Sequence, residues 1–207
     1  MTQDIKALLF DLGGVLIDLH PGRVAERWAE HAGREAAGLN WRFVADADYR
    51  RHERGEISSP DYLELLRARM DIPLSGAAML DGWNRIFGEA VAGVEELLAA
   101  AAKHRPLYLF SNSNPAHQEY WSARYAPLLR HFRKVFVSSS IGLRKPDAQA
   151  FRHVADEMGV SPAEAAFFDD TPENIAGARA LGFRSYLIGE PADLRRALHD
   201  VLPASGE

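Results

Sequence analysis

Cysteine is absent from the 207 residues, which excludes thiol catalysis, disulfide staples and cysteine-zinc scaffolds. Long apolar runs are missing too, and nothing approaches the roughly 20 residues that span a bilayer, so no membrane partner is expected. The opening MTQDIK has neither the basic start nor the apolar segment of a secretion signal, and a cytoplasmic location is the expectation that goes with it. Basic clusters are confined to Arg50, Arg51 and Arg54, and the net charge is -5, which argues against a nucleic-acid partner. Lysine itself is scarce. Of 24 basic residues only Lys6, Lys103, Lys134 and Lys145 are lysines, so a lysine in a motif-like setting carries information.

What is present is ordinary for a globular protein: 47% apolar and 26% charged residues, enough to bury a core domain with a sizeable insertion. The stretch Lys6 to Asp18 organises the chain. The apolar run Ala7 to Phe10 predicts a buried strand, and Asp11 stands at its end, followed by the turn residues Gly13 and Gly14. In an open α/β sheet the C-terminal strand edge is where ligands bind, which makes Asp11 either a nucleophile or metal ligand, or a simple turn aspartate. About residues 22 to 88 then read as helical, without a strand. Val24, Trp28 and Ala32 share one helical face, Ser59-Pro60-Asp61 opens a second helix, and a third spans about Gly76 to Phe87. The charged segment from Tyr49 to Ser58 reads as a loop hinged on Gly55. From Val91 onward helix and strand alternate, with strands at Pro106 to Phe110, Val135 to Ser138, Ala165 to Phe168 and Ser185 to Ile188. The expected architecture is an α/β, doubly wound, parallel five-stranded sheet formed by residues 1–18 and 89–207, with a helical cap of residues 19–88 inserted after the first strand.

Parallel strands share a direction, so Asp11, the Ser111-Asn112 pair and the Asp169-Asp170 pair should meet on one sheet edge. Adjacent carboxylates at the rim of an apolar core raise each other's pKa and cost stability unless a cation compensates. All-oxygen ligation of that kind suits Mg²⁺; the alternative is that one of the pair caps the helix entered at Pro172. Ser111 and Asn112, small donors before a helix start, suit an anion or an ordinary turn. Lys145, just before Pro146, is a flexible charge for a phosphate or a loop lysine at the surface.

Taken together, FDLGG at Asp11, SNS at Ser111, LRKPD at Lys145 and FFDDTPEN at Asp169 to Asn174 resemble the four ordered motifs of the haloacid dehalogenase superfamily. The likeness covers nearly the whole chain, and HERGEIS at His52 to Ser58 is similar to the sugar-phosphatase branch that includes α-glucose-1-phosphatase. The resemblance implies an Mg²⁺-dependent phosphatase of a small phosphorylated metabolite such as a hexose 1-phosphate, with Asp11 as nucleophile and an aspartyl-phosphate intermediate. It further implies Mg²⁺ on Asp11, the Gly13 carbonyl and Asp170, with Asp169 behind them or sharing the ion. Ser111, the Asn112 backbone and Lys145 would hold the phosphoryl group, and Glu53, Arg54 and Gly55 would close over the substrate. The protein would act as a monomer or homodimer.

One position departs from the pattern. Phosphatases of this superfamily carry a second aspartate two residues after the nucleophile, and here that residue is Gly13. Loss of a general acid or base costs about 10²- to 10⁴-fold in rate. Either the substrate's leaving group needs little protonation, or another acid among Asp18, Glu53 and His117 substitutes. The alternatives to a sugar phosphatase are a 2-haloacid dehalogenase and a phosphate-binding homologue without turnover. His52, His117, Trp28, Trp41, Trp83 and Trp121 are read as packing or surface residues, with the tryptophans as candidate lining between cap and core.

Overall fold

The fold, taken from a computed structural model, is described for residues 4–39 and 45–202; Trp41 lies outside the described residues. The chain runs β1 (Ala7–Phe10), β2 (Ile17–Leu19), α1 (Pro21–Ala32), α2 (Ala47–Glu53), α3 (Ser59–Met70), α4 (Gly76–Trp83), β3 (Phe87–Ala90) and α5 (Val94–Ala102). It continues with β4 (Leu107–Ser111), α6 (Pro115–Arg124), α7 (Ala126–Leu129), β5 (Phe132–Val137), α8 (Ser138–Ile141) and α9 (Ala148–Met158). The last elements are β6 (Ala165–Asp169), α10 (Pro172–Ala180), β7 (Arg184–Leu187) and α11 (Pro191–Val201).

The main sheet is five-stranded and parallel, in the order β5-β4-β1-β6-β7. Its central strands β4, β1 and β6 are buried on both faces because helices cover both. Leu8 and Phe10 of β1 pack with α5, α6 and α11, whereas Ala7 and Leu9 pack with α9 and α10. The chain leaves β1 for β4 and β5 on one side, then crosses to β6 and β7 on the other, so the crevice between the two halves opens at the C-terminal tip of β1. Register carries the strand ends to one level: Phe10 pairs with both Leu109 and Phe168, which brings Asp11, Ser111 and Asp169 to the same edge.

Residues 21–39 and 45–83 build a helical layer with its own buried cluster, centred on Trp28, Tyr62, Leu66, Met79 and Trp83. Trp28 donates its indole N–H to the Met79 carbonyl at 2.9 Å and stacks on Trp83 with ring centroids 6.3 Å apart. Ser58 and Ser75 accept the backbone N–H groups of Asp61 and Ala78, which defines where α3 and α4 begin.

Two expectations fail. The stretch up to residue 88 is not purely helical: β3 starts at Phe87 and pairs antiparallel with β2, Leu19 opposite Phe87 and Ile17 opposite Ala90, so the departing and returning chains are stitched together. Strands of three and four residues joined across about 70 positions leave no local period to read. The segment from Tyr49 to Glu53 is helix, not loop, because Asp46 accepts the Tyr49 N–H at 2.8 Å and starts α2. The helix stops at Arg54 and Gly55, the latter at φ +73°. Among the described residues no helix is long and apolar enough to cross a membrane.

Gly82 sets how closely α4 approaches α1. A Cβ there would sit 2.2 Å from the Trp28 ring, which is wholly buried and cannot yield. Alanine gains about 1 kcal/mol of helix propensity over glycine, but overpacking of this severity costs about 1–3 kcal/mol and outweighs it. Gly82→Ala is therefore expected to lower the urea midpoint with an unchanged m value; an unchanged midpoint would show that the two helices separate without penalty.

Candidate active site

Asp11 leaves β1 with its backbone N–H bonded to the Phe168 carbonyl at 2.8 Å, so the residue stays in register with β6 although its side chain has passed the sheet edge. The turn that follows is tight. Ile17 N–H reaches the Leu12 carbonyl and Gly14 N–H reaches the Ile17 carbonyl, which leaves the Gly13 carbonyl out of the ladder. At Gly14, with φ +75°, a Cβ would lie 2.1 Å from Asp170 Oδ2. Only glycine lets the Asp170 carboxylate come down onto the Asp11 turn.

Asp11, Asp169 and Asp170 each present an oxygen within 4.8 Å of the others, a donor set that fits a hard divalent cation such as Mg²⁺. They are not equivalent. Asp169 is fully buried, and its carboxylate accepts from the Thr171 N–H at 2.8 Å, from Asn174 Nδ2 at 2.9 and 3.2 Å and from Lys145 Nζ at 2.7 Å. Asp170 is exposed.

Lys145 is the compensating cation. Its ammonium is 1% exposed, donates to Asp11 Oδ1 and Asp169 Oδ2 at 2.7 Å each, and lies 5.4 and 5.5 Å from the ring centroids of Phe110 and Phe167. Burial works against this charge, but the two aspartates outweigh it and raise the lysine pKa above its ordinary value. Burial likewise pushes the Asp11 carboxyl up to about 7, against the pull of Lys145 and with Asp169 adding to the rise. The Asp170 carboxyl, although partly open to solvent, is raised by the desolvation it meets beside the sheet edge and by Asp169.

The Lys145 loop is held by Asn112, whose side-chain oxygen accepts the Lys145 N–H at 2.9 Å and whose Nδ2 donates to the Lys145 carbonyl at 2.8 Å. The Asn112 side chain is thus a loop clamp. Ser111, 6% exposed, keeps its hydroxyl without a protein partner among the described residues. Ser113 and Asn114 complete the turn: Ser138 Oγ accepts the Ser113 N–H at 2.9 Å, and Asn114 caps α6 by accepting the His117 N–H at 3.0 Å.

A cavity of about 370 Å³ opens over these groups, and Asp11, Gly13, Glu53, Ser111, Asn112, Lys145 and Asp170 all line it. Asp169 lies beneath the wall. Arg54 and Gly55 are not on the wall: Arg54 pairs with Glu56 at 2.6 Å, and Gly55 lets the end of α2 press on the Ser139 carbonyl, 2.4 Å from where a Cβ would be. Asp18 is exposed and also off the wall.

His117 is on the wall, but Asn114 Nδ2 donates to its Nδ1 at 3.1 Å and its Nε2–H donates to the Trp83 carbonyl at 3.1 Å. Burial holds its pKa down to about 3, so the ring is a neutral structural link. His52, held near 4 by burial, bonds Ser59 at 3.0 Å and stacks on Tyr62 in the helical layer. Trp121 lines the cavity and donates its N–H to Ser113 Oγ at 3.2 Å, Trp28 packs within the helical layer, and Trp83 joins that layer to α6 by stacking on the His117 ring with centroids 4.8 Å apart.

A Cβ on Gly13 would lie 2.5 Å from Leu19 Cδ1, the tip of an exposed side chain that would have to turn aside. Among the wall residues left without a role in the sequence are Tyr49, Arg144 and Asn174. Asn174 stands five residues after Asp169, the spacing that places an amide in the first helical turn over that carboxylate, and this regularity was available to be read. Arg144 had no such signal, because its partner Glu53 comes from the helical layer 91 positions away, and Tyr49 fell in a segment read as loop.

A profile of the haloacid dehalogenase-like hydrolases matches residues 5–182. The chain is 25% identical over 203 residues to a D-ribitol-5-phosphate phosphatase of Bacteroides thetaiotaomicron, covering 96% of this chain and 98% of that protein. It is 31% identical over 223 residues to a phosphoserine phosphatase of Thermus thermophilus, covering 89% of this chain and 88% of the other. Among solved structures, a HAD family enzyme of B. thetaiotaomicron in complex with magnesium and inorganic phosphate superposes with a TM-score of 0.76 at 28% identity, over 88% of this chain and 93% of that one. With its parallel sheet, its carboxylate cluster suited to Mg²⁺ and these relatives, the chain belongs to the haloacid dehalogenase-like hydrolases, as a phosphatase of that family.

Proposed function

We propose that this protein hydrolyses the phosphate ester of a small sugar, a hexose 1-phosphate being the type of substrate that suits it, through a covalent phosphate on Asp11. The observation that carries the reading is the Lys145 ammonium 2.7 Å from both Asp11 and Asp169, under a cavity that also exposes Asp170 and the unpartnered Ser111 hydroxyl. A buried cation already shared by two carboxylates neither attacks nor protonates; it holds Asp11 in one orientation and offsets the charge of an incoming phosphoryl group. In this reading residues 19–88 act as the cap and residues 1–18 with 89–207 as the catalytic core.

One Asp11 carboxylate oxygen attacks phosphorus, and the bond from phosphorus to the sugar oxygen breaks as the acyl phosphate forms. The sugar oxygen takes a proton from solvent. Water then attacks the same phosphorus, releasing inorganic phosphate and the free Asp11 carboxylate. Ser111 and the backbone at Asn112 donate to the phosphoryl oxygens. Mg²⁺, held by Asp11, Asp170 and the Gly13 carbonyl with Asp169 behind them, would supply positive charge where two anions must meet.

Of the acids weighed as replacements for the missing one, Asp18 is off the cavity wall and His117 has both nitrogens engaged. Glu53 accepts from Arg144 Nε at 2.8 Å and is bonded by Tyr49, so its carboxyl is already engaged, although burial outweighs these partners and raises its pKa above the ordinary value. With glycine at position 13 no carboxyl stands two residues after Asp11 to protonate the leaving oxygen, which favours an anomeric oxygen, a better leaving group than a primary alkoxide. A dehalogenase attacking carbon would have no use for three carboxylates within 4.8 Å, whose mutual repulsion a divalent cation relieves.

Phosphate release from a sugar-phosphate panel is expected to require Mg²⁺, to stop with EDTA and to fall by at least about 10³-fold in Asp11→Asn. Undiminished activity in that variant would remove Asp11 as nucleophile, and chloride release from 2-chloropropionate without metal would favour the dehalogenase. Glucose 1-phosphate should turn over about 10²-fold faster than glucose 6-phosphate, the lower end of what an absent general acid costs; equal rates would sink the leaving-group argument.

A further inference from the structure

The helical layer and the sheet meet above the cavity in one buried ion pair. Glu53, the last residue of α2, is 4% exposed, and Arg144, the residue before Lys145, is 16% exposed. Arg144 uses its Nε on Glu53 at 2.8 Å; its two terminal NH₂ groups have no protein partner among the described residues. Its backbone has little freedom, since Asn112 grips the next residue at both N–H and carbonyl, and the Asp147 N–H bonds the Arg144 carbonyl at 3.0 Å. Tyr49, one turn before Glu53 on α2, lines the same wall and bonds the Glu53 carboxyl. The result is a guanidinium of fixed position whose outer edge offers donors to the cavity, with a carboxylate and a phenol beside it.

We propose that Arg144, oriented by Glu53, reads the leaving group of the substrate and selects a neutral, hydroxylated one over an anionic one; this rests on the phosphatase reading above. The reason is charge. Phosphoryl recognition already has Lys145 and Ser111, and a planar fork of unpaired N–H groups matches vicinal hydroxyl oxygens or a carboxylate equally well in geometry. What separates the two is Glu53. The pair carries no net charge, so a carboxylate arriving at the Arg144 edge gains little attraction and is repelled by Glu53, whereas a sugar hydroxyl accepts from Arg144 and donates to Glu53 or Tyr49. Discrimination of this kind comes from the repulsive element as much as from the attractive one.

The test uses α-D-glucose 1-phosphate and α-D-glucuronate 1-phosphate, which share the anomeric leaving oxygen and differ in a CH₂OH against a carboxylate. Wild-type kcat/KM should favour the glucose ester by at least about tenfold. Glu53→Gln, which leaves Arg144 with a net positive charge, should shift the ratio by at least about tenfold toward the glucuronate ester. Arg144→Gln, which strips the cation and leaves Glu53, should move the ratio the opposite way. If one variant fails to fold, the direction of the other still decides. Wild-type preference for the glucuronate ester, or a ratio that neither variant moves, would overturn the inference while hydrolysis of p-nitrophenyl phosphate by the wild-type protein left the phosphatase reading standing. No Mg²⁺-dependent release from p-nitrophenyl phosphate or either sugar ester would overturn both.

Discussion

Everything at the sheet edge depends on one buried ammonium shared by two carboxylates. Lys145 reaches Asp11 across 134 positions of sequence and Asp169 across 24, and nothing else among the described residues brings a positive charge into contact with that pair. Removing one partner from a buried ion pair costs about 3–5 kcal/mol because it strands the other's charge. The surrounding structure can be understood as the means of keeping the three atoms in place. Asn112 grips the lysine's backbone, Asn174 and the Thr171 N–H hold Asp169, and Phe110 and Phe167 offer their ring faces to the ammonium. These holding groups come from the ends of β4 and β6 and the start of α10, so the parallel sheet and its register are conditions of the site rather than its background.

A second set of constraints shapes the roof. Gly14 lets Asp170 descend onto the turn after Asp11, and Leu19 takes the space beside Gly13. Leu19 is held there because β2 pairs with β3, the strand on which the chain returns from the helical layer. A side chain at position 13 would meet the tip of the Leu19 side chain, which would have to turn aside. The layer contacts the chemistry at a different point, through Glu53 and Arg144, where a residue from each side is buried in the cavity wall.

The sheet and the identity of its tips were legible in the sequence because both are local. ALLF followed by Asp11, PLYLF by Ser111 and AAFF by Asp169 are apolar runs that end in polar groups, and alternation with helices makes such runs parallel. Family resemblance then supplied roles that composition alone leaves open. The errors were non-local or short. Pairing of β2 with β3 spans about 70 residues, and α2 is a seven-residue helix under a run of arginines that resembles a solvated loop.

The sequence by itself determined that three strands end in acids or small donors and that one scarce lysine sits before a proline, since strand period and turn chemistry are written in adjacent residues. Only the tertiary structure decided that Lys145 bridges Asp11 and Asp169, that Asp169 is buried while Asp170 is exposed, that Asn112 clamps a loop, and that Glu53 meets Arg144 across 91 positions. Ion pairs and desolvation act over a few ångströms in space irrespective of distance along the chain, so which charges neutralise one another becomes readable only when the sheet has brought its edges together.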